Sequence, residues 1–433
     1  MKSIIGIRRE DKNQWEKRVP IIPNHIREYL EKNNIKTIIQ PSSIRVFTNQ
    51  DYTNAGAEID ENLSNCPVIF AVKEIPLSFF EKGKTYVFFS HTIKGQKYNM
   101  PMLKKMMELK CNLIDYERIV NNKGFRLVFF GRFAGLAGMV DTLWTFGQKL
   151  RLKGINTPFN QIRQTINYEN HLDEIKQHFK KIGEEIKKVG FPEKISPVII
   201  GFAGYGNVSK GAQEILNELP LKEISPIEIK KVFESPSNKV IYKVVFKEED
   251  IVQPNSNNSK FDLKEYYNYP ERYHSIFEEY FPYLSILMNC IYWDYKYPRL
   301  ITKEYFKKQS FSNMRLEVVG DISVDVNGAI EFTEKTTNSG NPVFTYDPKN
   351  DTFVDGINTN GICVMAVDNL PCELPKESST EFSNALFSFV PAIAKANYNV
   401  SFKDLDLPAE IKNAVILYHG KLAPNYQYID KYL

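Results

Sequence analysis

From its N-terminus the chain alternates short apolar runs with stretches in which apolar residues recur at helical spacing. "SIIGIRRED" begins as a buried strand, "PNHIREYLEKNN" carries the helical period, and "KTIIQ" is a second strand, which together predict a βαβ unit. The alternation continues through "CPVIFAVKEIP", "TYVFFSH", the helical "MPMLKKMMELK" and "CNLIDYE", the pattern of a parallel sheet covered by helices. In "FGRFAGLAGMVDTLWTFGQKLRLKG" the small residues Gly135, Ala137 and Gly138 precede an amphipathic helix suited to close packing at a domain junction, so the first boundary is drawn at 138/139. A lysine- and glutamate-rich region at 160–190 is predicted to be a helical hairpin.

The strand "PVIIGF" then runs into Gly204, Gly206 and Gly211 and a helix beginning "AQEIL". Glycines at such a turn let backbone N–H groups approach a pyrophosphate at a helix N-terminus, which makes Gly204, Tyr205, Gly206, Asn207, Val208 and Gly211 candidate dinucleotide contacts. The match to G-x-G-x-x-G is imperfect, because Ser209 takes the third glycine's place, and an ordinary glycine-rich βα turn is the competing reading. A ribose-binding acid belongs near the end of the second strand. There "ISPIEIKKVFES" offers Glu228 together with Lys230 and Lys231, whose charge suits a 2′-phosphate and favours NADP over NAD.

Further on, the asparagine-rich loop in "VVFKEEDIVQPNSNNSKFDLKEYY" and the aromatic helical stretch after it read as a surface insertion. "LEVVGDISVDVNGAIEFT" reads as a late strand ending in Asp321 and Asp325, "GICVMAVDNLPCELPKESS" as a strand leading to a proline-bounded turn, and "STEFSNALFSFVPAIAKA" as a helix returning to the first domain. The expected fold is α/β, two Rossmann-like domains with parallel sheets flanking a central cleft. Residues 1–138 with about 368–433 would form a substrate domain and 139–367 a nicotinamide dinucleotide-binding domain.

A length of 433 residues suits two cores, and 56 basic against 52 acidic side chains leave a net charge of +4, too small for a nucleic-acid footprint. The five cysteines show no CxxC spacing, which argues against a zinc site or disulfide framework, and no apolar run is long enough to span a membrane. The expectation is a soluble cytoplasmic protein without a metal, acting on small molecules.

Candidate chemistry sits where strands end. Lys73 follows "IFAV" and His91 follows "YVFFS", and ligands in open α/β sheets bind outside the carboxyl ends of strands. Burial beside other cations would bring either group toward neutrality, as proton transfer requires; the bland alternatives are a solvated lysine and a hydrogen-bonded core histidine. Arg18 in "EKRVP" has the fork to hold a carboxylate and Glu16 the charge to hold an ammonium, against the alternative of a surface ion-pair loop. Lys94, Gln96, Glu117 and Arg126 are ambiguous taken singly.

The strings "GIRREDKNQWEKRVPIIP", "AVKEIP", "FSHTIKGQKYNMPML", "LIDYE", "FGRFAGLAGMVDTLW", "GYGNVSKGAQEI", "YPERY", "NCIYWDYKYPRLIT", "GDISVDVNGAIEFT" and "VDNLPCELPKESS" resemble the lysine–2-oxoglutarate reductase (saccharopine dehydrogenase, L-lysine-forming) family over nearly the whole chain. The resemblance implies a fold related to alanine dehydrogenase and transhydrogenase. It also implies reversible NAD(P)H-dependent condensation of L-lysine with 2-oxoglutarate to saccharopine. By resemblance Lys73 and His91 match the acid–base pair; Arg18, Lys94 and Arg126 would bind substrate carboxylates; Glu16 and Glu117 would balance the cationic site. Gln96 would join the substrate contacts, and Asp321 matches a family position near nicotinamide and substrate. Plant and animal homologues are fused to a second, saccharopine-consuming dehydrogenase, so this chain is expected to be monofunctional. Stand-alone fungal enzymes use NAD, whereas "YPERY" and "YPRLIT" are similar to the fused, NADP-using branch. Two rival readings stand beside this one: an alanine-dehydrogenase-like enzyme, disfavoured by the number of cationic groups, and a non-catalytic dinucleotide-binding regulator, disfavoured by the presence of both Lys73 and His91.

Overall fold

The computed structural model describes residues 2–169, 171–256, 259–308 and 314–433. They divide into two compact units, Met1–Phe130 with Pro375–Leu433, and Gly131–Leu374. The division falls where the helix Gly131–Leu152 begins, so Gly135, Ala137 and Gly138 lie inside that helix rather than ahead of it.

The first unit is built on β1 (Ser3–Ile7), β2 (Ile35–Ile39), β3 (Glu58–Ile59), β4 (Val68–Phe70), β5 (Thr85–Phe88) and β6 (Asn112–Asp115). Of these, β4, β5 and β6 are buried on both faces, the signature of parallel strands under helices. They pair in parallel in the order β6-β5-β4-β1-β2-β3, the order of strand addition reversing between β1 and β4. The C-terminal segment completes the sheet: β17 (Val415–Tyr418) adds antiparallel to β6, and the two-residue β18 (Lys421–Leu422) pairs with β17. The expected tail helix is two helices, Pro375–Leu386 and Val390–Lys395. Ser379 and Ser383 accept hydrogen bonds from the backbone N–H groups of Val19 and Ile22 at 3.0 and 3.1 Å, tying the tail to the loop that carries Arg18.

The second unit contains β7 (Val198–Ala203), β8 (Leu221–Glu223), β9 (Ile241–Phe246), β10 (Val252–Pro254), β11 (Tyr273–Ser275), β12 (Ile286–Asn289), β13 (Val318–Asp321), β14 (Val343–Asp347), β15 (Thr352–Asp355) and β16 (Ile362–Met365). Its main sheet runs β15-β14-β16-β13-β12-β7-β9-β8; β14 is antiparallel to both its neighbours, β15 and β16, and the other neighbours pair in parallel. Two apolar clusters form its core. The expected helical hairpin at 160–190 is a pair of short turns followed by one amphipathic helix, His171–Val189. The expected surface insertion is a correction of substance. Asn257 and Asn258 lie outside the described residues, but Tyr266, Tyr273, Phe277 and Phe281 after them are buried, and β10 and β11 form an antiparallel pair. Aromatic residues of this size pack as core, not as a surface loop.

Candidate active site

In the first unit β4, β5 and β6 end side by side, with Phe70 paired to Val87 and Phe88 to Asp115. Residues just beyond those ends share the sheet's carboxyl edge: Lys73 after β4, His91 after β5, Glu117 after β6. Glu10, just after β1, supports the first of them, because its carboxylate accepts the backbone N–H groups of Val72 at 2.7 Å and Lys73 at 3.0 Å. Burial, and then the charge of Glu16, push the Glu10 carboxyl up to about 7 against those hydrogen bonds.

The Lys73 ammonium is held below the ordinary lysine range, chiefly by burial and then by the positive charges of Arg18 and Lys12, with Glu16 and Glu74 opposing. His91 stands in the left-handed region at φ 49°, a conformation that costs a non-glycine residue about 1 kcal/mol. Its Nδ1 lies 2.6 Å from a Glu74 carboxylate oxygen, and its ring lies nearly parallel to Phe89. A carboxylate only accepts, so Nδ1 carries the proton and Nε2 is left to exchange one. Burial favours the neutral Glu74 acid, but the hydrogen bond and charge of His91, with Lys12 at 3.3 Å, hold its carboxyl well below the usual range.

Arg18 and Glu16 are both buried, and their side chains meet through two bonds, Nε to Oε1 at 2.8 Å and Nη2 to Oε2 at 2.6 Å. The Phe130 ring lies under the guanidinium at 4.3 Å. The fork that sequence reasoning reserved for a substrate carboxylate is closed on Glu16, and neither residue belongs to a surface loop. Arg126 pairs with Glu117 and is half exposed. Lys94 is exposed, and Gln96 presents a buried Oε1 with no donor among the described residues. The turn carrying both is braced from the tail: Tyr428 donates to the Ile93 carbonyl at 2.8 Å, and the Tyr432 ring packs where Gly95 has no side chain. Beneath it Asp115 accepts from Ser90 and, at 2.8 Å, from the Glu117 backbone; burial pushes its carboxyl up to about 6.

In the second unit the order of strand addition reverses between β7 and β12, and a cavity of about 360 Å³ opens beyond the ends of β9, β7 and β12. Gly204, Tyr205 and Gly206 line it from β7, Glu248 from β9, and Cys290 and Tyr292 from β12. Gly204 takes φ 95°, and no atom stands within 4 Å of where a Gly206 Cβ would be, so the turn leaves room for a phosphate ahead of the helix Asn207–Leu216. Asn207 and Val208 open that helix. Gly211 does other work: a Cβ there would lie 2.0 Å from the Arg132 carbonyl, as one at Gly135 would from Val208 O, so the two helices cross backbone to backbone.

Glu228, Lys230 and Lys231 are exposed and do not line the cavity; Glu228 accepts from Ser225 in a tight turn. The strand next to β7 is β9, so the residue in the position of the expected acid is Glu248. Asp321 ends β13 in this unit, buried and accepting from Asn289 at 2.8 Å and Thr333 at 2.6 Å; burial pushes its carboxyl up to about 6. Sequence reasoning missed Glu10, Glu74, Asp115 and Glu248. Glu74 stands beside Lys73 in "AVKEIP" and Glu10 just past β1 in "RRED", and an acid at or soon after a strand end was the available signal.

A parallel sheet with a glycine turn at its point of reversal defines a dinucleotide-binding α/β fold of the dehydrogenase type. The chain belongs to the alanine dehydrogenase/PNT family: residues 6–137 match that family's N-terminal domain and residues 294–425 its C-terminal domain. Over 99% of its length it is 36% identical to an alpha-aminoadipic semialdehyde synthase of Arabidopsis thaliana and 35% identical to a mitochondrial one of Bos taurus. It spans 41% and 48% of those proteins, less than half of each. A saccharopine dehydrogenase [NAD(+), L-lysine-forming] of Yarrowia lipolytica is 25% identical over 87% of this chain and 89% of its own. An L-alanine dehydrogenase shares the fold with a TM-score of 0.64 at 14% identity over 99% of both chains, and the transhydrogenase from Sinorhizobium meliloti with 0.52 at 12% over 98% of this chain and 100% of its own. No described helix is long and apolar enough to cross a membrane, and the described residues hold no cluster of metal-ligating side chains.

Proposed function

We propose that the chain is a nicotinamide-dependent oxidoreductase that reversibly condenses L-lysine with 2-oxoglutarate to saccharopine. The observation that carries the reading is Lys73, an amine depressed by burial and by Arg18 and set on the same strand edge as the His91–Glu74 pair. The end-to-end likeness to alpha-aminoadipic semialdehyde synthases supports the choice of substrates.

The substrate ε-amine must lose a proton before it adds to the keto carbon, and the carbinolamine oxygen must gain one before leaving as water. Lys73 and Nε2 of His91 are the two exchange sites, and Glu74 keeps the imidazole in the tautomer that leaves Nε2 open. Glu10 positions Lys73 through its backbone, while the Glu16–Arg18 pair tunes its charge. Arg126 and Lys94 face substrate carboxylates, and the Gln96 Oε1 takes an ammonium hydrogen that no described residue supplies. Residues 204–208 would hold the dinucleotide, which when bound supplies the hydride that reduces the imine. Asp321 is assigned to the nicotinamide side. The five cysteines, all free and buried, fit a reducing compartment.

The test follows reduced-nicotinamide absorbance with purified protein, L-lysine and 2-oxoglutarate, omitting each substrate in turn, with pyruvate and ammonia as a parallel arm. Consumption that requires both substrates, with saccharopine confirmed by mass, is expected. Turnover only in the parallel arm would replace the reading with an alanine-dehydrogenase-like activity.

A further inference from the structure

We propose that Glu248 selects a dinucleotide whose adenosine ribose carries a free 2′-hydroxyl, so that the chain takes NAD(H) and rejects NADP(H). The inference rests on the reading of residues 204–208 as the pyrophosphate turn.

A dinucleotide seated on that turn extends its adenosine ribose toward the strand next to β7. That strand is β9, paired to β7 along its whole length from Val198 to Ala203. Two residues past its end, Glu248 faces the same cavity as Gly204 and Gly206. Its carboxylate is held by two phenols: Tyr205 donates to it at 3.1 Å, and Tyr267 donates to its other oxygen. These donors orient the group, and its carboxylate oxygens have lone pairs over for the two ribose hydroxyls, which are donors.

A 2′-phosphate would bring about 1.5 to 2 negative charges onto this carboxylate. Countering that needs a cation, and among the described residues no lysine or arginine lines the cavity. Lys247 precedes Glu248 but is exposed, and Glu249 and Asp250 follow it. Ile251 and Trp293 give the cavity apolar walls against which a purine packs. The sequence argument for NADP used Lys230 and Lys231, which lie on a short helix after β8 and do not reach this cavity.

The test is equilibrium binding by calorimetry, independent of turnover, with NADH and NADPH and with ADP-ribose and its 2′-phosphate as fragments. The native chain should bind NADH more tightly than NADPH by a factor on the order of 10 or more, the scale set by a like-charge juxtaposition. Glu248→Gln keeps the shape and removes the charge; it should shrink that ratio mainly by improving NADPH, and the fragments should follow. NADPH bound as tightly as NADH by the native chain would overturn the inference and leave the dinucleotide reading standing. A ratio unchanged in Glu248→Gln would remove Glu248 as its cause. Failure of a folded chain, checked by its melting transition, to bind any of the four would overturn both this inference and the reading beneath it.

Discussion

In the proposed reaction Lys73 would owe its chemical role to the residues packed around it. Burial and the charges of Arg18 and Lys12 depress it, and Glu10 fixes its backbone. Lys73→Met should therefore lower kcat by a factor on the order of 100 or more, with dinucleotide affinity unchanged in the same calorimetry. An unaffected kcat would remove Lys73 from proton transfer. Glu10 makes a separate prediction about pH. Its folded carboxyl sits at about 7, above the usual 4.5. The protonated form is the one the fold favours, so its contribution is fully present below about pH 4.5 and is lost as pH rises through about 7. The loss amounts to about 3 kcal/mol at most. Urea unfolding at pH 5 and pH 8 should show the native chain losing more stability across that interval than Glu10→Gln does. Equal slopes would mean that Glu10 is ionised throughout.

At the scale of elements the decisive contact is the crossing of Gly131–Leu152 with Asn207–Leu216. A methyl at Gly135 would have to occupy the space of the Val208 carbonyl. Gly135→Ala should cost about 1–3 kcal/mol through overpacking and lower the melting temperature by several degrees. Gly206→Val, by contrast, meets open space at an ordinary φ of −76° and should leave the melting temperature alone while abolishing dinucleotide binding. Two glycines, one inside Gly131–Leu152 and one capping Asn207–Leu216, would thus separate into a packing residue and a ligand-facing one. The elements differ in how well they were legible. Parallel strands such as β4, β5 and β7 are continuous apolar runs with a glycine or charged residue at the end, and the pattern reads directly. The β8–β9 region was misread because "SPIEI" carries a strand-like alternation while forming a capped turn and a short helix. Placing the proposed ribose acid therefore required knowing which strand pairs with β7, a long-range fact that local periodicity does not contain. The placement of Lys73 and His91 just past strand ends was readable, because position after a strand is local. The Glu16–Arg18 pairing was not, since burial of the loop depends on a tail some 360 residues away.

For the whole molecule, the first unit is discontinuous and the second is a single stretch of chain. Gly131–Leu374 contains its own sheet and two apolar clusters, so expressed alone it should fold and melt cooperatively, as circular dichroism would read. Met1–Phe130 alone should not. Without the tail, β6 loses its antiparallel neighbour β17 and the backbone N–H groups of Val19 and Ile22 lose their serine acceptors. Protease resistance of an isolated Met1–Phe130 fragment would contradict this.

Both main sheets also end in very short outer strands: two residues in β3 and in β18, three in β8, four in β15. Each carries a charged residue, Glu58, Lys421, Lys222 with Glu223, and Asp355. An open sheet invites a stranger to extend it by hydrogen bonding along its rim, and these rims are too brief and too charged to template a newcomer. The molecule can therefore be crowded without its sheets joining end on, leaving the buried apolar strands at the middle of each sheet shut away in the interior.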